Sequence, residues 1–174
     1  MENKRLYKFI DEIEQQCRFA EFAFQQLNNS LNEQNSQAVF FHTHAFLGHV
    51  ATLNRLFWPK RQNSLPRGDN LRKELDLADS SALNINTLRN QIELSDETFE
   101  DWLNGLPNPE YVDTNLMPSG TMSGFNTDTF HRSLDPDTFK FTYRGATCEL
   151  RPAHDAIRDL RTVIDRWKRT HNPW

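Results

Sequence analysis

The stretch SQAVFFHTHAFLGHVATLNRLFWP, residues 36–59, sets the architecture. Val39, Thr43, Phe46, Val50, Leu53 and Phe57 recur at steps of four and three, which keeps them on one side of an α-helix. Pro59 has no amide hydrogen to donate and ends it, so the spacing predicts a helix from Ser36 to Trp58. Upstream, Leu6, Ile10, Ile13, Cys17, Ala20, Phe24, Leu27 and Leu31 alternate the same steps and form a second apolar stripe on a long first helix. Phe9, Phe19 and Phe22 lie off that stripe and widen its apolar face. Asn28, Asn29, Ser30 and the run from Asn32 to Asn35 lower helix propensity. So short a connection implies an antiparallel hairpin with both stripes buried.

Downstream, Lys60 to Gly68, with Pro66 and Gly68, reads as a loop. Asp69 or Asn70 is placed to cap a short third helix through Leu77. Ser80 or Ser81 would cap a fourth, whose Ile85, Leu88, Ile92, Phe99 and Trp102 or Leu103 share a face until Gly105, Pro107 and Pro109 end it. Residues 105–137 hold Pro107, Pro109, Pro118, Gly120, Gly124 and Pro136 among Asn, Ser and Thr. They read as one long loop: a lid, a partner-binding arm or an insertion. Phe139, Phe141 and Tyr143 alternate with polar residues, as do Ala146, Cys148 and Leu150 after Arg144-Gly145, which predicts a β-hairpin over 138–150. Pro152 suits the first turn of a final helix over 152–169, carrying Ala153, Ile157, Leu160, Val163 or Ile164, and Trp167. The expected fold is a single domain over 1–174, an all-α up-and-down bundle of four to five helices with a small appended β-hairpin.

A chain of 174 residues can bury a core without metal or disulfide staples. Its 13 Phe and 4 Trp must then be gathered on faces, because charged residues make up 25% of the chain. A formal net charge of −4 argues against a broad basic surface for nucleic acid, while leaving a local basic site open. Cys17 and Cys148 stand far apart in no CxxC pattern and read as reduced thiols. The amino terminus opens on a charged amphipathic stretch and no long apolar run follows, so neither secretion nor membrane insertion is expected, and the reading is cytoplasmic.

The richest polar run is Arg89-Asn90-Gln91-Ile92-Glu93-Leu94-Ser95-Asp96-Glu97. On one helix Arg89 meets Glu93, and Asn90, Glu93 and Glu97 share a face beside the apolar stripe. Arg89, Asn90, Glu93, Asp96 and Glu97 are therefore the candidate ligand-binding residues; a solvated face laced with ion pairs is the alternative. His42, His44 and His49 invite a metal reading. However, His42 and His44 point about 200 degrees apart on a helix and His49 lies about 10 Å along the axis from His42. His131 and His154 have no ligand spacing around them. Ser119-Gly120-Thr121-Met122-Ser123-Gly124 lacks the lysine of a phosphate loop and reads as a flexible connection. No metal and no cofactor is expected.

Phe57-Trp58-Pro59, Leu71-Arg72, Leu88-Arg89-Asn90, Glu93 and Asp96-Glu97 together resemble a group of bacterial HEPN-like proteins, in which an aromatic-rich helix ends in Trp-Pro and an Arg-Asn, Glu-His, Asp-Glu run follows. The likeness covers the middle third of the chain and, more loosely, the helical hairpin and last helix. It implies a helical bundle, often dimeric. In active members it also implies metal-independent RNA cleavage, in which an arginine and a histidine at the dimer interface assist attack by the ribose hydroxyl on its phosphate. Leu94 stands where that signature has histidine, and leucine cannot act as a base. Arg89 retains the capacity to hold a phosphate by two parallel hydrogen bonds. Arg166 and His171 repeat the spacing of the arginine and histidine, but Trp167 replaces the polar residue that follows the arginine.

The expected function is thus a non-catalytic or degenerate HEPN-type module acting through protein contacts, as a homodimer or with a partner protein, in a toxin–antitoxin or phage-defence setting by family analogy. One alternative is an RNase using Arg89, with Asn90 and Glu93 beside it, and a histidine from elsewhere, such as His42, His44 or His171. The other is a nucleotide or small-ligand sensor with a pocket between the helices, roofed by the 105–137 segment.

Overall fold

The computed structural model describes residues 2–108, 110–121 and 127–171. Helix α1 runs Glu2–Asn32 and α2 runs Ser36–Phe57. The contacts Phe24 with Phe46 and Phe19 with His49 fix the pair as antiparallel. Asn35 caps α2 by accepting the Ala38 amide at 3.1 Å, satisfying a first-turn donor that the helix leaves unpaired. Helix α6, Leu150–Thr170, lies antiparallel along α1, with Arg161 paired to Glu21 and Lys168 bonded to Asp11 at 2.7 Å and Glu14 at 2.5 Å. Ile10, Ile13, Leu27, Phe46, Leu53, Phe57, Ile157 and Ile164 are fully buried between these three helices and the elements that close them.

The expectation of an all-α bundle is overturned. Among the described residues, six α-helices are joined by a four-stranded mixed sheet in the order β1-β2-β3-β4. Its strands are β1 Val112–Leu116, β2 Phe130–Leu134, β3 Lys140–Tyr143 and β4 Ala146–Glu149. β1 and β2 pair in parallel, and the other pairs are antiparallel. The fold is therefore α+β. The hairpin predicted over 138–150 supplies β3 and β4 only. The segment 105–137, read as one loop, holds the other two strands; Pro109 and residues 122–126 of it lie outside the described residues. β3 and β4 are joined by Arg144 and Gly145, with φ of +46° and +81°, the left-handed pair that a tight hairpin turn matched to strand twist requires.

Other boundaries move as well, the last helix beginning at Leu150 rather than at residue 152. Helix α3 spans Leu65–Glu74, so Pro66 and Gly68 lie inside it rather than in a loop, and neither Asp69 nor Asn70 begins it. The expected fourth helix is two, α4 Asn86–Glu93 and α5 Ser95–Gly105, broken at Leu94 with φ −111° and ψ 50°. Neither Ser80 nor Ser81 caps it, since α4 starts after Ile85. No helix among the described residues is long and apolar enough to cross a membrane.

Candidate functional site

A helix ends with carbonyls that its own amides cannot reach. At the end of α2 two arginines take them. Arg72 donates from Nη1 to the Phe57 carbonyl and from Nη2 to Asp69 at 2.7 Å. Arg89 donates from one nitrogen, Nη1, to the Trp58 carbonyl at 2.9 Å and to Asn54 Oδ1 at 2.8 Å. Its Nε lies 3.2 Å from Glu93 Oε1, an ion pair without hydrogen-bond alignment. Glu93 also meets Arg55 at 3.2 Å, Lys60 donates to Asn90 at 2.5 Å, and the Trp58 indole donates to Asp79 at 2.9 Å. Cations at this end also meet the negative pole of the helix dipole.

Of the residues that carry the resemblance, Phe57, Trp58, Arg72, Arg89, Asn90 and Glu93 thus gather at one joint, where α3 and α4 are fastened to the end of α2. Arg89 is only 2% exposed, and its guanidinium is committed to α2 and Glu93. A phosphate cannot take the two-pronged approach without parting α2 from α4. Asn90 and Glu93 sit beside Arg89 at this joint, but Asp96 and Glu97 lie beyond the break at Leu94, exposed in the first turn of α5. The face expected for Asn90, Glu93 and Glu97 does not form.

The sheet brings together a second set of side chains. His131 on β2 contacts Asp113 Oδ1 on β1 at 3.0 Å through Nδ1. Arg132 pairs with the same Asp113 oxygen through Nη1 and donates from Nε to His44 Nε2 on α2 at 3.1 Å. Since Nε2 of His44 accepts, its proton sits on Nδ1. The His131 ring stacks with Phe99 at 4.9 Å and Trp102 at 5.4 Å from α5, and with Tyr143 at 5.4 Å from β3. Arg144 lies over Phe99 and Tyr143, donating to the Ser95 carbonyl at 2.5 Å and to Thr98 at 2.9 Å.

This arrangement resembles an oriented imidazole, but His131 Nε2 is buried with no partner among the described residues, and aromatic rings stack on the imidazole. A general base must touch the proton it takes, so His131 as placed is a joint between α5 and the sheet. What stays open is a groove of about 770 Å³ between α2 and β1–β2, walled by Phe40, Phe41 and Ala45 and rimmed by His44, Asp113 and Arg132. Of these residues only His44 stood out in the sequence, and there as a metal or RNase candidate rather than as part of a groove. The one usable signal was the adjacent pair His131-Arg132, which becomes meaningful only once β1 and β2 are recognised.

The remaining candidates disperse. His49 bonds Gln16 at 2.8 Å, His42 packs on Phe41, and His171 stacks on Trp167 at 4.5 Å. The Ser119 amide donates to Asp135 Oδ2 at 3.0 Å, while residues 122–124 of that run lie outside the described residues. Hydrogen bonds from Ser119 and from the Thr138 and Asp137 amides hold the Asp135 carboxyl well below the usual carboxylate range. Cys17 and Cys148 are buried, which pushes their thiols up to about 12 and about 11, so neither is a ready nucleophile. Among the described residues no three His, Cys, Asp or Glu side chains gather in a metal-holding group.

Burial lowers His44 from the ordinary 6.5 to about 4, helped by the positive charge of Arg132, with His131 and Arg144 adding to it and Asp113 opposing. Burial also lowers His49, His131 and His154. The unfolded chain then binds protons more readily than the folded one, so stability is full above pH 6.5 and falls as pH drops towards 4. The thermal midpoint is expected to decline steadily across that interval, and His44→Gln to flatten the decline. An unchanged slope in that variant would remove His44 as its source.

The fold is thus an α+β domain in which a helical hairpin carries a mixed sheet. Compared with known proteins, the chain matches no family, no curated protein and no solved structure.

Proposed function

We propose that this chain is a non-catalytic HEPN-type module that acts through protein contacts, beginning with a second copy of itself. The observation that carries the reading is the state of Arg89, buried and spent on the Trp58 carbonyl, Asn54 and Glu93. Leu94, where the family signature has its base, is exposed and apolar. An arginine that fastens two helices, beside a residue that cannot accept a proton, serves the fold rather than RNA cleavage.

Self-association is supported by Phe19 and Phe22, which are 45% and 62% exposed on α1. Phe19 rests on His49 of α2, and next in sequence Gly48 has open space where a side chain would stand. Exposed rings on one face form a patch that a two-fold interface buries on both copies. About 800 Å² per partner is needed for a stable pair, so the contact would extend along the α1–α2 hairpin. A toxin–antitoxin or phage-defence role rests on the family resemblance alone.

The test is incubation of the pure protein with structured and single-stranded RNA in chelator, with mass measured by light scattering in the same preparation. A dimer that leaves both RNAs intact is expected, as is a monomer with unchanged circular dichroism for Phe22→Glu. Cleavage of either RNA by the wild type would end the non-catalytic reading; a wild-type monomer at high concentration would end the self-association.

A further inference from the structure

The groove between α2 and the β1–β2 edge has its own chemistry, independent of the Arg89 joint and of the Phe19–Phe22 face. Among the described residues Arg132 spends Nε on His44 and Nη1 on Asp113 and His131 Nδ1, leaving Nη2 without a partner. Asp113 Oδ1 accepts from Arg132 and lies 3.0 Å from His131 Nδ1, and Oδ2 has no partner among the described residues. Their side chains are 26% and 64% exposed, so water reaches both. One rim of the groove therefore offers a free donor next to a free acceptor. The donor is fixed in place by contacts from α2 and β1, and the acceptor by contacts from β2.

The charges on this rim cancel. Arg132 and Asp113 form an ion pair, and His44 and His131 are held neutral at pH 7 by burial. A free phosphate would meet the Asp113 carboxylate, and a cation would meet the Arg132 guanidinium. The fitting partner is instead neutral and carries an acceptor beside a donor on a rigid edge. The same groove is lined on α2 by Phe41, a residue 69% exposed, with Phe40 and Ala45 completing an apolar wall. A flat, apolar-faced body suits that wall, since stacking on an aromatic ring favours any planar heterocycle. The volume of about 770 Å³ falls in the usual range for small-ligand sites.

We propose that this groove binds a nucleobase, its face on Phe41 and its hydrogen-bonding edge on Arg132 and Asp113. The base would come from a free nucleoside or nucleotide or from a single-stranded RNA.

The experiment is calorimetric titration of the full chain with adenosine, guanosine, cytidine and uridine, their 5′-monophosphates, short single-stranded RNA, ribose 5-phosphate and inorganic phosphate. Saturable binding of at least one nucleoside is expected, with ribose 5-phosphate and phosphate silent. Phe41→Ala, at an exposed position that the core does not need, is expected to weaken it at least about tenfold, as the loss of one stacked base does. Asp113→Asn turns an acceptor into a donor and is expected to change which nucleoside binds best. Equal affinity for nucleoside and RNA assigns the free ligand, and tighter RNA binding that still depends on Phe41 assigns a base in a chain. No nucleoside binding at millimolar concentration, binding indifferent to Phe41→Ala, or phosphate binding alone would each overturn the proposal. Dimerisation and RNA stability are separate readouts, so the outcome here does not decide those.

Discussion

Arg89→Met is expected to destabilise the protein by about 3–5 kcal/mol, the usual cost of removing one partner from a buried, hydrogen-bonded charge network. The methionine keeps most of the aliphatic stem, so the loss isolates the guanidinium. Without it the Trp58 carbonyl and Asn54 Oδ1 lose this donor, and among the described residues Glu93 keeps Arg55 alone as a partner cation. A buried acceptor left unpaired costs about 1–3 kcal/mol by itself. For a chain of this size each kcal/mol moves the thermal midpoint by roughly 2–4 °C, so a fall on the order of 10 °C should appear in a melt followed by circular dichroism. Arg89→Lys should recover little, because one ammonium cannot reach from Asn54 and Trp58 to Glu93 in a fork. A midpoint for Arg89→Met close to wild type would mean that the joint is not structural. The buried arginine would then need another purpose, and the proposal of a non-catalytic module would lose its main support.

The parts of the fold that were legible in the sequence are those that local periodicity determines. α1, α2 and α6 bury one stripe each, and steps of three and four mark such stripes whatever they pack against. The β3–β4 hairpin was legible because clear alternation flanks Arg144-Gly145. β1 and β2 were not. Each has five residues, the accessibility along β1 does not alternate, and the two pair in parallel across eighteen positions, from Val112 to Phe130. Pairing of that kind is decided by tertiary contact, which local propensity does not encode.

The break at Leu94 has a similar cause. Leu88 and Arg89 turn to α2, whereas Phe99 and Trp102 turn to His131 on the sheet. A single helix would have to serve both surfaces with one stripe. At the site the identities of Arg89, Asn90 and Glu93 were legible and their burial was not. A polar run beside an apolar stripe reads alike whether its arginine faces water or caps a neighbouring helix. Asp113, His131, Arg132 and His44 come from three separate elements, so no spacing in the chain announces them.

Gly68→Ala is expected to destabilise the protein by about 2–3 kcal/mol, in the range of small-to-large changes in packed interiors. Helix propensity points the other way: inside α3 alanine should improve on glycine by about 1 kcal/mol. Packing decides the sign. A methyl group at Gly68 would stand 2.5 Å from Pro59 Cδ and 2.6 Å from the Phe57 carbonyl oxygen. Both belong to the end of α2, and neither is the loose tip of a flexible side chain. To admit the methyl, α3 must withdraw from α2. That withdrawal carries off Arg72, one turn further on, from the same Phe57 carbonyl, and Leu71 from the core. The glycine that looks in sequence like loop punctuation is therefore the contact point at which α3 crosses α2. Urea midpoints for Gly68→Ala and Gly105→Ala, the second at a position with nothing within 4 Å, separate the two effects. A fall for the first with little change or a gain for the second supports the crossing. Equal gains would show that α3 has room to spare, and that Arg72 and Arg89 hold α2 without this close approach.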